Sequence, residues 1–202
     1  MKKIIFIFLI LFTNNIFAAP KEIIIIRHAD KWEQKNPGPF LSPKGQLRAE
    51  KFVSYYLSHF KKPDFIFASN PVTNAADLDT GHSYRPIQTV MPLANQLAFQ
   101  NPNGYPINAN YADNQYAELA KSLLTNPQYN NKIILICWHH GLADALATSL
   151  GVTQQLKKWH GDDFDQVFVL KYNHDGKLAH FQILKKQYPV HRNPTWAELA
   201  RS

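Results

Sequence analysis

From Glu22 onward the chain alternates between short apolar runs and longer stretches in which apolar residues recur at helical spacing. Glu22-Ile23-Ile24-Ile25-Ile26 is continuous and β-branched, which predicts a short strand buried on both faces, as in a parallel sheet. It stops at Arg27-His28, and a loop rich in Pro and Gly runs through Pro37-Gly38-Pro39. Ser42 can cap a helix that takes Pro43 in its first turn, and Leu47, Phe52, Val53, Tyr56 and Leu57 make that helix amphipathic. Pro63-Asp64 breaks the chain before a second short strand, Phe65-Ile66-Phe67-Ala68, which ends at Ser69-Asn70-Pro71. A polar stretch from Val72 to Tyr84 follows. Arg85-Pro86 then opens a helix with an apolar stripe of Ile87, Val90, Leu93, Ala94 and Leu97, which Pro92 is expected to kink or break. After a loop from Gln100 to Pro106, the spacing of Tyr116, Leu119, Ala120, Leu123 and Leu124 predicts another helix. Ile133 to Cys137 reads as a third buried strand, and the chain turns polar at its end, at His139-His140-Gly141. An Ala/Leu-rich helix from Leu142 to Leu150 runs into Gly151, a fitting C-cap. Asp165 to Leu170 and Leu178 to Leu184 alternate about a turn at Asn173 to Gly176, the pattern of a β-hairpin. This order predicts a three-layer α/β domain: a mostly parallel sheet flanked by helices, with a C-terminal hairpin.

The start of the chain has a different character. Lys2-Lys3 followed by the apolar run Ile4 to Phe12 has the form of a secretory signal peptide, with cleavage expected after Ala18. Residues 1–18 are therefore expected to be a signal and 19–202 one domain, exported to the periplasm or the medium. The apolar run is short for a membrane span, so no stable membrane association is expected. With Cys137 the only cysteine, no internal disulfide can form, and its place in an apolar strand suits a small core side chain. The formal charge of +7 falls to about +5 without Lys2 and Lys3, a surplus that suits an anionic substrate. No basic block or basic-aromatic stripe supports nucleic-acid binding, and nothing in the sequence bears on the oligomeric state.

Ligands of open α/β sheets gather at the carboxyl ends of the strands. Those ends carry Arg27-His28, Ser69-Asn70 and His139-His140, and Arg85 begins the helix behind the second strand. Two arginines and two or three histidines at one edge suit phosphoryl transfer, which depends on positioning and on stabilising charge over three oxygens. Arginine supplies planar bidentate donors, and a neutral imidazole can attack phosphorus directly without a metal or cofactor.

Arg27-His28-Ala29-Asp30-Lys31 resembles the Arg-His-Gly/Ala-Glu nucleophile motif of the histidine phosphatase superfamily, the phosphoglycerate-mutase-like proteins, with Asp where Glu is commoner. Leu41-Ser42-Pro43-Lys44-Gly45 with Arg48-Ala49 is similar to the start of that family's first helix. Arg85-Pro86-Ile87-Gln88-Thr89 with Pro92-Leu93-Ala94 resembles its second-arginine helix, and Ile134 to His140 its second-histidine strand. The resemblance implies a phosphoglycerate-mutase-like fold and a phosphatase that hydrolyses phosphoric monoesters, or related phosphoryl substrates, through a phosphohistidine. It also implies His28 as nucleophile, Arg27 and Arg85 as phosphate ligands, and the second histidine as a further ligand.

Two features depart from the family pattern. The second arginine is set back by an insertion between Pro71 and Arg85, which is expected to rim the substrate pocket together with Trp32 to Phe40. At the second histidine a gapless count selects His139, whereas the family's His-Gly dipeptide selects His140, the reading preferred on sequence. The available carboxylates for a general acid are Asp30, Glu118 and Asp144; Glu118 is carried as the catalytic candidate and Asp144 is read as a solvated helix residue. Arg48 and Lys44 are expected on the exposed face of the first helix. Trp138 is read evenly as core or as a wall of the site, and Asp162, Asp163 and Asp165 as loop residues because they fit no calcium-loop spacing. Two other functions compete: a catalytically silent member of the fold that binds anions or a partner, and a metal-dependent hydrolase built on the His and Asp residues.

Overall fold

A computed structural model describes residues 19–34, 38–71 and 83–185. The expected signal at 1–18 and residues 72–82 of the insertion lie outside the described residues, as do residues 35–37 of the Trp32 to Phe40 loop. The strands are β1 (Glu22–Arg27), β2 (Phe65–Ala68), β3 (Ile107–Asn108), β4 (Ile133–Trp138), β5 (Val167–Tyr172) and β6 (Leu178–Leu184). The helices are α1 (Pro43–His59), α2 (Arg85–Ala98), α3 (Tyr116–Thr125) and α4 (His140–Ser149). Together the strands form one sheet in the order β3-β2-β4-β1-β5-β6. β1, β2, β3 and β4 pair in parallel, while β5 is antiparallel to both β1 and β6. The mostly parallel sheet and the hairpin are thus as the pattern predicts, and β3 adds two residues that no periodicity could announce.

The unbroken isoleucine run of β1 has a direct cause. Ile23 and Ile25 pack with Leu119 and Leu123 of α3 and Leu146 of α4 on one face, whereas Ile24 and Ile26 pack with Phe52 and Tyr56 of α1 and Val90 and Leu93 of α2 on the other. Alternate side chains of a strand point to opposite faces, so a strand covered on both sides needs apolar residues at every position. Each of these four isoleucines is fully buried, contributing about 1.5–3 kcal/mol apiece. Cys137 lies in the second of these cores, where burial pushes its thiol far up and leaves it unreactive.

Helix α1 begins as its sequence suggests. Ser42 Oγ accepts the Gly45 amide at 3.1 Å and Pro43 follows in the first turn. Gly45 is needed for a different reason: a Cβ there would meet the Asp30 carbonyl oxygen at 2.2 Å, so only glycine lets the helix start back onto the loop after β1. The Ser42 amide and hydroxyl both donate to that same carbonyl, at 3.0 and 3.1 Å. Helix α2 runs through Pro92 as one element, so of the expected kink or break the break does not occur. Pro92 removes one amide hydrogen bond and crowds the carbonyl one turn back, and the buried stripe of Val90, Leu93, Ala94 and Leu97 holds the helix across that point. Among the described residues, no helix is long and apolar enough to cross a membrane.

Candidate active site

The parallel strands deliver their carboxyl ends to one edge, and the register decides which residues meet there. Arg27 pairs with Trp138, and the His28 amide donates to the Trp138 carbonyl at 3.3 Å, so the next residue along β4, His139, stands beside His28. The two imidazoles stack at 28° with centroids 6.1 Å apart, while His140 meets His28 edge-on, at 84° and 6.5 Å. Ligand nitrogens of His28, His139 and His140 all lie within 4.8 Å of one another. The ring of His139 rests against Gly141, where a Cβ would meet its Cε1 at 3.1 Å. Gly141 therefore makes room for the residue two positions before it. Gly141 follows His140 in the sequence and lies against the His139 ring in space, so both histidines border it.

His28 is buried at 3% exposure, and its Nδ1–H donates to the Ala29 carbonyl at 2.7 Å. A carbonyl only accepts, so the proton sits on Nδ1 and Nε2 keeps its lone pair. Burial, and then the Arg27 guanidinium, hold the imidazole well below its usual pKa, and Arg85 and His139 add to the effect. Burial followed by Arg27 likewise lowers His139 to about 4 and His140 to about 3. All three rings are neutral at ordinary pH.

The arginines are aimed by carbonyl oxygens, whose dipoles orient a guanidinium without cancelling its charge. Arg27 Nη1 donates to the carbonyls of His160, Gly161 and Asp163 at 3.2, 2.7 and 3.2 Å, and its Cζ lies 3.9 Å from the centroid of the Phe164 ring. Arg85 Nε donates to the Phe40 carbonyl at 3.3 Å and Nη2 to that of Gly38. Phe40 stacks in turn on Tyr84, with centroids 5.6 Å apart. Thr89 joins the start of α2 to the chain just after His28: its Oγ1 donates to the Arg85 carbonyl at 2.7 Å and accepts the Ala29 amide at 2.8 Å.

The carboxylates fall out differently from expectation. Asp30 is buried against Arg48, whose Nε donates to Oδ2 at 2.5 Å, with Lys44 Nζ 3.7 Å from Oδ1. Arg48, expected on an exposed face, is 5% exposed and reaches Asp165 at 4.0 Å as well; Lys44 is half-buried. The face of α1 that looks solvated by periodicity is covered by the loop after β1 and by the 159–165 segment. Asp144, read as solvated, is half-buried, and its Oδ2 accepts the Trp159 amide at 3.3 Å; burial raises its carboxyl above the ordinary range. Glu118 lies on the exposed side of α3, opposite the stripe of Leu119, Ala120 and Leu123. Trp138 is fully buried core, its Nε1 donating to the Asp113 carbonyl at 3.1 Å.

Sequence reasoning missed the role of the 159–165 segment. It supplies three carbonyls and an aromatic face to Arg27 and a carboxylate to Arg48. Main-chain carbonyls leave no trace in residue identity, and only the Phe164-Asp165 pair next to a predicted strand start could have drawn attention.

No family model and no curated protein matches the chain. Solved structures do match it in fold. The protein histidine phosphatase SixA complexed with tungstate is 13% identical, covers 81% of this chain and 96% of its own, and superposes with a TM-score of 0.56. Phosphoglycerate mutase from Plasmodium falciparum is also 13% identical, covers 88% of this chain and 97% of its own, and superposes with a TM-score of 0.52. The six-stranded mixed sheet between two helical layers is thus a phosphoglycerate-mutase-like fold.

Proposed function

We propose that the protein is an exported phosphatase that hydrolyses phosphoric monoesters, or related phosphoryl substrates, through a phosphohistidine at His28, with no cofactor. The observation that carries this reading is the state of His28: a buried, neutral imidazole locked by Ala29 with Nε2 unprotonated, beside two arginines and two further histidines. The Nε2 lone pair attacks phosphorus, and the P–O bond to the leaving group breaks with its electron pair on that oxygen. Water then attacks the phosphorus, the P–N bond breaks, Nε2 regains its lone pair and phosphate departs. Arg27 and Arg85 stabilise the charge on the equatorial oxygens.

His139 is the proposed second histidine, because its ring faces that of His28 across a gap suited to a phosphoryl group. His140 forms the adjoining wall. Asp30 is committed to Arg48 and Glu118 turns to solvent, so neither is well placed to protonate a leaving group; one of low pKa departs unaided.

The test is direct. The full chain, mixed with an aryl phosphate and quenched without acid, is expected to gain one phosphoryl group on His28 by mass spectrometry. His28→Ala is expected to remain folded, to take up no phosphate and to lose hydrolysis altogether. An active His28→Ala protein sinks the mechanism, and a phosphate-free wild type that binds phosphate favours the silent anion-binding alternative.

A further inference from the structure

We propose that His28, His139 and His140 form a binding site for one divalent transition-metal ion of the zinc or copper type, and that this ion reversibly blocks the nucleophile. Three imidazole nitrogens converge within 4.8 Å of one another. Tetrahedral zinc at about 2.0–2.1 Å from each nitrogen needs them about 3.3 Å apart, so the rings of His139 and His140 must draw in toward His28 Nε2 as the ion binds. Imidazole suits zinc, copper and nickel, whereas magnesium and calcium want oxygen, so the ligand set itself selects the class of ion.

Two further features fit a metal site. Ligating histidines commonly donate their other nitrogen to a carbonyl or carboxylate, which fixes tautomer and aim. His28 already does so, through Nδ1–H to Ala29 at 2.7 Å, and this leaves Nε2 as its ligand atom. The Nδ1 atoms of His139 and His140 are buried with no hydrogen-bond partner among the described residues. Buried polar atoms without partners are uncommon and call for an occupant, which a coordinated ion or a water would provide.

Arg27 and Arg85 oppose a cation, but their guanidiniums already face five carbonyl oxygens between them. Their remaining field favours an anion at the open coordination position, so the bound unit is a metal carrying hydroxide or phosphate. Because the ion takes the Nε2 lone pair, metal and phosphoryl transfer exclude each other. The inhibition rests on the proposed role of His28; the binding site does not.

The experiment titrates the full chain, freed of metal with a chelator, with Zn2+ by calorimetry and with Co2+ by visible absorption. One ion per chain is expected, with the intense d–d bands of tetrahedral cobalt, and affinity at least tenfold lower in His139→Gln and in His140→Gln. Zn2+ is expected to raise the melting temperature of the wild type, a readout that does not depend on how well the variants fold. In the aryl phosphate assay Zn2+ inhibits and a chelator restores activity. No Zn2+ or Co2+ binding, or equal binding in wild type and both variants, overturns the site. Binding without any phosphatase activity keeps the site and removes the proposed function; activity indifferent to Zn2+ does the reverse.

Discussion

The ends of β1 and β4 lie side by side and carry the same kind of residue, yet they are built in opposite ways. At the end of β1 the main chain and side chains are tied down at successive positions: His28 to Ala29 and Trp138, Ala29 to Thr89, Asp30 to Arg48 and to Ser42. At the end of β4 the two histidines sit at the start of α4 with their Nδ1 atoms unpartnered among the described residues. A nucleophile, the role proposed for His28, has to present one lone pair in one direction, so its tautomer and backbone must be fixed beforehand. Groups that meet a ligand after it arrives can leave their polar atoms for that ligand to satisfy.

Breaking the tightest bond of the β1 end is expected to have the largest effect on stability. Arg48→Met leaves the Asp30 carboxylate buried without its main partner and is expected to cost about 3–5 kcal/mol, read as a lower denaturant midpoint at unchanged slope. A smaller loss is expected from Thr89→Val, which keeps the shape but strands the Ala29 amide and releases the link to Arg85. About 1–3 kcal/mol should disappear, and phosphatase kcat/KM should fall with it.

The β4 end is tested by acid. Burial holds His139 at about 4 and His140 at about 3, below the ordinary histidine value of 6.5. Above that ordinary value neither state binds the proton and there is no penalty. As pH falls from 6.5 toward about 4, the unfolded chain takes up protons that the folded one refuses, so stability drops across that window. His139→Gln is expected to flatten the drop in urea midpoints measured across it; an equally steep profile in the variant removes the contrast between the two ends. The smallest effect is expected from Glu118→Gln, which alters only a solvent-facing side chain: stability within about 0.5 kcal/mol and unchanged turnover. A large loss of turnover there restores Glu118 as the acid.

The elements and the position of His28 at a strand end were legible because their causes are local. A strand covered on both faces must be apolar at every position, as Ile23 to Ile26 are, and a helix start needs its cap, as Ser42-Pro43 provides. The order of Arg27-His28, Arg85 and His139-His140 along the chain put their strand ends at one edge, given only that parallel strands share a direction. Tertiary structure alone decided the rest. That Arg48 is buried, that Asp30 is held rather than free, and that His139 stacks on His28 while His140 meets it edge-on all depend on the register of β1 against β4 and on the loops that fold over α1. Arg27 is aimed by carbonyls more than 130 positions away along the chain. Periodicity reports which side of an element meets something apolar. It carries no information about which distant backbone oxygen will lie within 3 Å of a guanidinium, because every residue carries the same oxygen.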